Sequence, residues 1–259
     1  MSMPQTNQPF VLDEYIMHHV LNSHQWHLPF LPVIPLPPFL SLHALMLLLC
    51  SVFLIVLFCV LYRRHDRVPT GITNVLEIFV LFIRDQIVIP SLGEKDGRKM
   101  TPLFCTFFFF ILMMNLMGMI PVFAAATSNV NVTGALAAVT LGFMVIGSIY
   151  KNGLLGFVKA FIPPGVPWPV LIILVPIEFL GLAIKPFALM IRLFANMLAG
   201  HIVILALLGL VVMVGYVALP IVFLALFISL LEILVVFLQA YIFTFLSALF
   251  IGQMYHPQH

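Results

Sequence analysis

Five charged or histidine side chains, Glu178, Lys185, Arg192, His201 and Glu232, stand in the apolar stretch from Val170 to Gly252, and no others occur there. A charge at the centre of a membrane helix costs roughly 2.5–3.5 kcal/mol on insertion scales, so each needs a partner or a task. Arginine stays protonated at any working pH, attracts a carboxylate and repels a hydrated proton. Histidine and glutamate, by contrast, can exchange protons when burial and pairing tune them. The expected chemistry is therefore ion translocation along two polar half-paths, with one fixed positive charge, Arg192, as the barrier between them.

The spacing supports this reading. Glu178, Lys185, Asn196 and Ala199 stand fourteen, seven, four and seven residues from Arg192, intervals that return near one face of a helix. Gly181, Ala188 and Ala195 lie on or beside that stripe, so another helix could approach closely. His201, nine residues on, faces a different neighbour. On a second helix Glu232 and Gln239 share a face. Arg192 and His201 differ by about 13 Å in height, Gln239 and Glu232 by about 10 Å, so an antiparallel partner would match the two levels. Glu178 lies about 21 Å from Arg192 on the other side. Structural roles compete with these: Lys185 can snorkel to the inner interface, His201 and Glu232 can form a static pair, and Asn196 and Gln239 can bond helix to helix.

The elements that hold these residues must be membrane helices. The chain is 63% hydrophobic and 8% charged, with mean hydropathy +1.19, far from the roughly 25% charge of a soluble domain. A formal charge of +2 gives no reason to expect nucleic acid as a partner. Residues 1–38 form an extramembrane segment, polar and then proline-rich, with His18, His19, His24 and His27 clustered in it. It has no basic region followed by a short apolar run, so no signal peptide is expected and the first span should remain as an anchor. The membrane domain is residues 39–259. A first span over 39–62 ends in Arg63, Arg64, His65, Asp66 and Arg67, which places that end inside and the N-terminus outside. Residues 70–90 carry Glu77, Arg84 and Asp85 and read as an amphipathic surface helix, followed by an inner loop from Gly93 to Lys99. Spans over 102–123 and 134–150 follow, then the proline-rich break from Phe161 to Pro169. Turn signals beyond it are few, so two long helices are expected, tilted or kinked at Pro176 and Pro186. The fold class is all-α: about five crossing helices plus one surface helix, with the C-terminus inside. Cys50, Cys59 and Cys105 lie in apolar segments without metal spacing and read as free buried thiols.

The run RLFANMLAGH, from Arg192 to His201, closely resembles the signature of subunit a of F-type ATP synthases. MNLMGMIP (Met114 to Pro121) and LQAYIFTFLSALFIG (Leu238 to Gly252) resemble that family's second-span and C-terminal motifs, and the resemblance covers most of the chain from residue 39. It implies a stator subunit whose long tilted helices face a ring of c subunits, with peripheral-stalk b subunits and the remaining synthase subunits as partners in the bilayer. Arg192 would separate the half-channels, Glu178 would fall in the inner one, and Asn196, His201, Glu232 and Gln239 around the arginine and the outer one, with Asn115 lining the outer path. Many bacterial members carry an acid at the position of His201 and a histidine at that of Glu232; here the pair is exchanged, which keeps one acid and one imidazole. The expected location is the bacterial cell inner membrane, with the mitochondrial inner membrane as the alternative. No cofactor or metal is expected. The chain has no GxxxxGK[ST] phosphate loop, so it is expected to be a non-catalytic, ion-conducting subunit. A secondary transporter with a buried arginine for an anionic substrate is the competing class; it predicts duplicated halves, and no duplication is evident.

Overall fold

The computed structural model describes residues 25–26, 34–35, 37, 41–61, 71–120, 123–162, 166–214 and 219–256. The N-terminal histidines and Arg63 to Arg67 lie outside the described residues. Apart from a two-residue antiparallel ladder, β1 (Gln25–Trp26) with β2 (Ile34–Pro35), all regular structure among the described residues is helical. The helices are α1 (Leu42–Val56, prolonged by a π-helical turn Leu57–Leu61), α2 (Ile72–Phe82, prolonged by Ile83–Val88), α3 (Ile89–Gly118), α4 (Val130–Gly142, prolonged by Phe143–Gly147), α5 (Ser148–Lys159), α6 (Trp168–Val214) and α7 (Leu219–Tyr255). Among the described residues five helical runs are long and apolar enough to cross a membrane: Leu42–Cys59, Thr73–Gly118, Val130–Lys159, Trp168–Val211 and Leu219–Tyr255. The chain is a multi-pass membrane protein.

Local chemistry sets the helix ends. The Ser41 hydroxyl caps α1 by accepting from the Ala44 amide at 3.3 Å, and the Asn129 side chain caps α4 by accepting from the Asn131 amide at 2.9 Å. Pro169 and Pro220 fall in first turns, where a missing amide hydrogen costs nothing. Buried hydroxyls return to their own helix, as in Thr244 to the Ala240 carbonyl at 2.8 Å, because lipid offers them no other partner.

The expected loop from Gly93 to Lys99 is instead helical from Glu94 onward. The reversal is confined to Gly93, at φ 78° and ψ 168°, a conformation only glycine adopts readily. Glu94 and Arg98 then pair at 2.8 Å across one helical turn. The segment from Ile72 to Leu92 folds back along α3. An added Cβ on Gly97 would meet the Ile89 Cα at 3.2 Å, and farther along Phe79 stacks on Phe108 with ring centroids 5.8 Å apart. Leu76, Ile83, Ile87 and Leu92 form its buried stripe, while Glu77, Arg84 and Asp85 stay off it, as the amphipathic pattern requires.

The core lies where α3 and the C-terminal half of α7 meet. Phe104, Ile111 and Met114 are buried there against Ala240, Phe243, Ala248 and Ile251. Small residues make the approach close: a Cβ on Gly252 would stand 2.1 Å from the Ser91 carbonyl oxygen. On another side of the same half of α7, Thr140 of α4 and Ser247 share a hydrogen bond of 3.2 Å. At its end the Ser148 hydroxyl donates to the Met254 carbonyl at 2.8 Å, and Lys151 pairs with Asp96. All three cysteines are free; Cys50 is buried, but Cys59 is exposed on an outward face of α1, contrary to the expectation of three buried thiols.

Candidate functional site

Helix α6 has two unlike faces. Leu182, Pro186, Leu189, Leu193 and Met197, spaced three or four apart, form its buried stripe; Met190 beside it reaches Gly134 of α4. An adjoining side is uncovered. Glu178, Arg192 and Ala199, fourteen and seven residues apart, are exposed there, with Lys185 and Asn196 half-buried. Ala188 and Ala195, exposed as well, add small residues to this face, and Ile184 and Phe187 add apolar ones. The face thus presents Arg192 among small and apolar residues, with Glu178, Lys185 and Asn196 as its other polar groups.

Helix α7 is divided along its length. Its C-terminal half is core, whereas among residues 219–235 Glu232 is the one buried residue. A Cβ on Gly200 would lie 2.4 Å from Glu232 Oε1, so the carboxyl rests directly on the α6 backbone beside His201. Neither Glu232 oxygen has a hydrogen-bond partner among the described residues, an arrangement that is costly for a merely structural acid. His201 itself is half-buried.

A second contact fixes the antiparallel register. The Lys185 ammonium donates to Gln253 Oε1 at 3.0 Å and lies 5.6 Å from the centre of the Phe250 ring. With Gly200 against Glu232 and Lys185 against Gln253 and Phe250, the Arg192 level falls between Ala240 and Phe243, within about one turn of Gln239. Gln239 is buried while Arg192 is exposed, so the match is one of height and the two point to different surroundings. Lys185 has its head group at the end of α7, close to where snorkelling would take it.

The sequence matches the ATP synthase A chain family over residues 44–252. The chain belongs to that family.

It is 48% identical over 215 residues to the ATP synthase subunit a of Anaeromyxobacter dehalogenans (strain 2CP-C), covering 81% of this chain and 56% of that protein. It is 44% identical over 259 residues to that of Chloroherpeton thalassium (strain ATCC 35110 / GB-78), covering 94% and 77% respectively. It is 45% identical over 215 residues to that of Myxococcus xanthus (strain DK1622), covering 81% and 71%. The chain spans about half the length of several of the curated relatives it matches.

For this member of the ATP synthase A chain family, the structure brings Glu232 against Gly200, the residue before His201, keeps Glu178 and Arg192 on the open face, and sets Asn115 apart. Asn115 is buried in α3, where its Oδ1 accepts a hydrogen bond of 2.7 Å from the Thr127 hydroxyl. Three contributors escaped the sequence reading. Gly200 seats Glu232, and its only sequence signal is a glycine directly before His201. Gln253 holds Lys185, and it follows the C-terminal motif by a single residue. Thr127 holds Asn115, and in sequence it is one hydroxyl in a short polar turn.

Proposed function

We propose that this chain is the proton-translocating stator subunit of a rotary F-type ATP synthase, with residues 39–259 as its membrane domain. One observation carries the proposal: Arg192 stands on a long, uncovered, alanine-lined face of α6, while about two turns farther along that helix Glu232 is buried against Gly200, the residue before His201. A cation facing lipid alone would be costly; one facing a ring of small helices that each bring a carboxyl group is matched. In this reading the c-subunit ring covers the Glu178–Lys185–Arg192–Ala199 face. Glu178 belongs to the inner half-channel. Asn196, His201, Glu232 and Gln239 connect Arg192 with the outer half-channel, and Asn115 lines its far end. Peripheral-stalk b subunits and the remaining synthase subunits are the other partners.

The mechanism follows from charge. A ring carboxylate arriving opposite Arg192 is held ionised by the guanidinium, so its proton must leave to one side, and the next must enter from the other. Arg192 also bars a proton from passing straight between the half-channels. The chain performs no nucleotide chemistry and serves as the non-catalytic ion path. The basic residues at 63–67 and Lys151 and Lys159 set the orientation, N-terminus outside and C-terminus in the cytoplasm, in the cell inner membrane.

The test is proton flux in vesicles carrying the purified membrane sector, wild type against Arg192→Ala. Coupled flux is expected to disappear in the variant, with passive leak as its residue. Retained ATP-driven pumping would end this reading and return the anion-transporter alternative.

A further inference from the structure

Among the described residues, a buried histidine has no role in the scheme. His43, in the first turn of α1, is 2% exposed. With Met46 and Cys50 it forms the buried stripe of α1. That stripe packs on α3, where the Cys50 thiol approaches the Phe110 carbonyl at 3.8 Å. Seven residues back along α1 is about 10 Å, which on an antiparallel α3 leads from Phe110 to Met117, half a turn past Asn115. His43 therefore stands at the height of Asn115.

The short helical turn Ala126–Ser128 joins this level to the rest of the site. It packs against α1, α3, α4 and α6. Thr127, fully buried in it, makes the bond to Asn115, and Ser128 and Thr133 are buried beside it. On the α6 side Met197, next to Asn196, reaches Gly118 at the end of α3; a Cβ there would lie 2.5 Å from its Cε. Buried polar groups thus cluster around Asn115 and Thr127 at the height of His43, and the Met197 contact joins that level to the α6 segment that carries Asn196 and His201. Residues 103–142 contain no Asp, Glu, Lys, Arg or His, and α1 contains no other charged or histidine residue. The other titratable groups on the elements named are the Cys50 thiol, about two turns along α1, the Cys105 thiol, farther away on α3, and His201 and Glu232 on α6 and α7.

We infer that His43 is a proton-relay residue at the entrance of the outer half-channel, passing protons to the Asn115–Thr127 link and on toward His201 and Glu232. This rests on the proposed proton-path function and extends it to α1. An imidazole suits the position because it accepts a proton on one nitrogen while releasing one from the other. Asparagine and threonine can orient a bridging water but cannot themselves take up the charge.

The experiment measures proton flux through the membrane sector in vesicles as the pH on the outer side is varied, for wild type, His43→Gln and Arg192→Ala. His43→Gln is expected to cut flux roughly tenfold, less than a proton-transfer group in direct contact with substrate supplies, because water bridges part of the gap. It is also expected to flatten the dependence on outer pH while leaving the dependence on inner pH as in wild type. An unchanged outer-pH profile in His43→Gln, with coupled flux abolished by Arg192→Ala, overturns the relay and leaves the stator reading standing. Indifference to Arg192→Ala overturns both. If His43→Gln does not retain the ring, Thr127→Val cuts the same path one link further in, and unchanged flux there overturns the relay.

Discussion

Glu232 and Gly200 show how one missing side chain can serve a buried acid. Because Gly200 has no Cβ, the carboxyl reaches the α6 backbone next to His201; a methyl group there would come within 2.4 Å of Oε1. The atom it would strike is the end of a flexible side chain, so Glu232 can turn aside. Replacing a helical glycine by alanine itself favours the helix by roughly 0.5–1 kcal/mol. Gly200→Ala is therefore expected to leave thermal stability unchanged or slightly raised while lowering proton flux, a split that paired melting and flux measurements would show. Glu232→Gln keeps shape and volume but loses the exchangeable charge; flux should fall with the complex intact. Flux equal to wild type across the pH range would remove Glu232 from the path.

The helices are positioned by close backbone contacts as much as by side chains. The reversal at Gly93 places α2 along α3, and a similar one at Gly153, φ 72° and ψ 172°, bends α5. Alanine at Gly93 would force a conformation that costs on the order of 1–3 kcal/mol. Gly93→Ala should lower the melting temperature of the detergent-solubilised membrane sector accordingly. Gly252→Ala should be at least as damaging, since the obstacle is the Ser91 backbone carbonyl, which cannot swing away; overpacking of this kind costs typically about 1–3 kcal/mol. Both substitutions lie away from Arg192, so residual assembled complexes should retain coupled flux. If Gly252→Ala melts like wild type, the close crossing of α7 with the start of α3 is not as tight as described.

Across the molecule, burial is uneven in a way that predicts where a partner lies. The Thr73–Gly118 run is 50% buried over its most apolar window, but those of α6 and α7 are 12% and 17% buried. The two helices that carry most of the polar path are thus open to their surroundings, as is α1, whose window is also 17% buried. With Cys50, Cys59 and Cys105 removed, a cysteine at Ala188 or Ala195 is expected to cross-link to a ring subunit, and one at Leu189 or Leu193 to fail. The reverse pattern would place the ring on the other side of α6. Much of this was legible in the residues alone. Runs of about twenty apolar residues must become helices in lipid, where unpaired backbone groups are prohibitive, and basic flanks orient them. Charges in such runs mark a site, and the interval of seven puts Glu178, Lys185 and Arg192 on one face. All of these are local properties, set by period and composition. Tertiary structure alone decided that Gly93 reverses the chain within one residue, that the loop after it is helix, that Glu232 seats on Gly200, and that Lys185 turns to Gln253. Those outcomes depend on which surfaces meet and at what separation, and helical period carries information about direction around an axis but none about the distance to a neighbour.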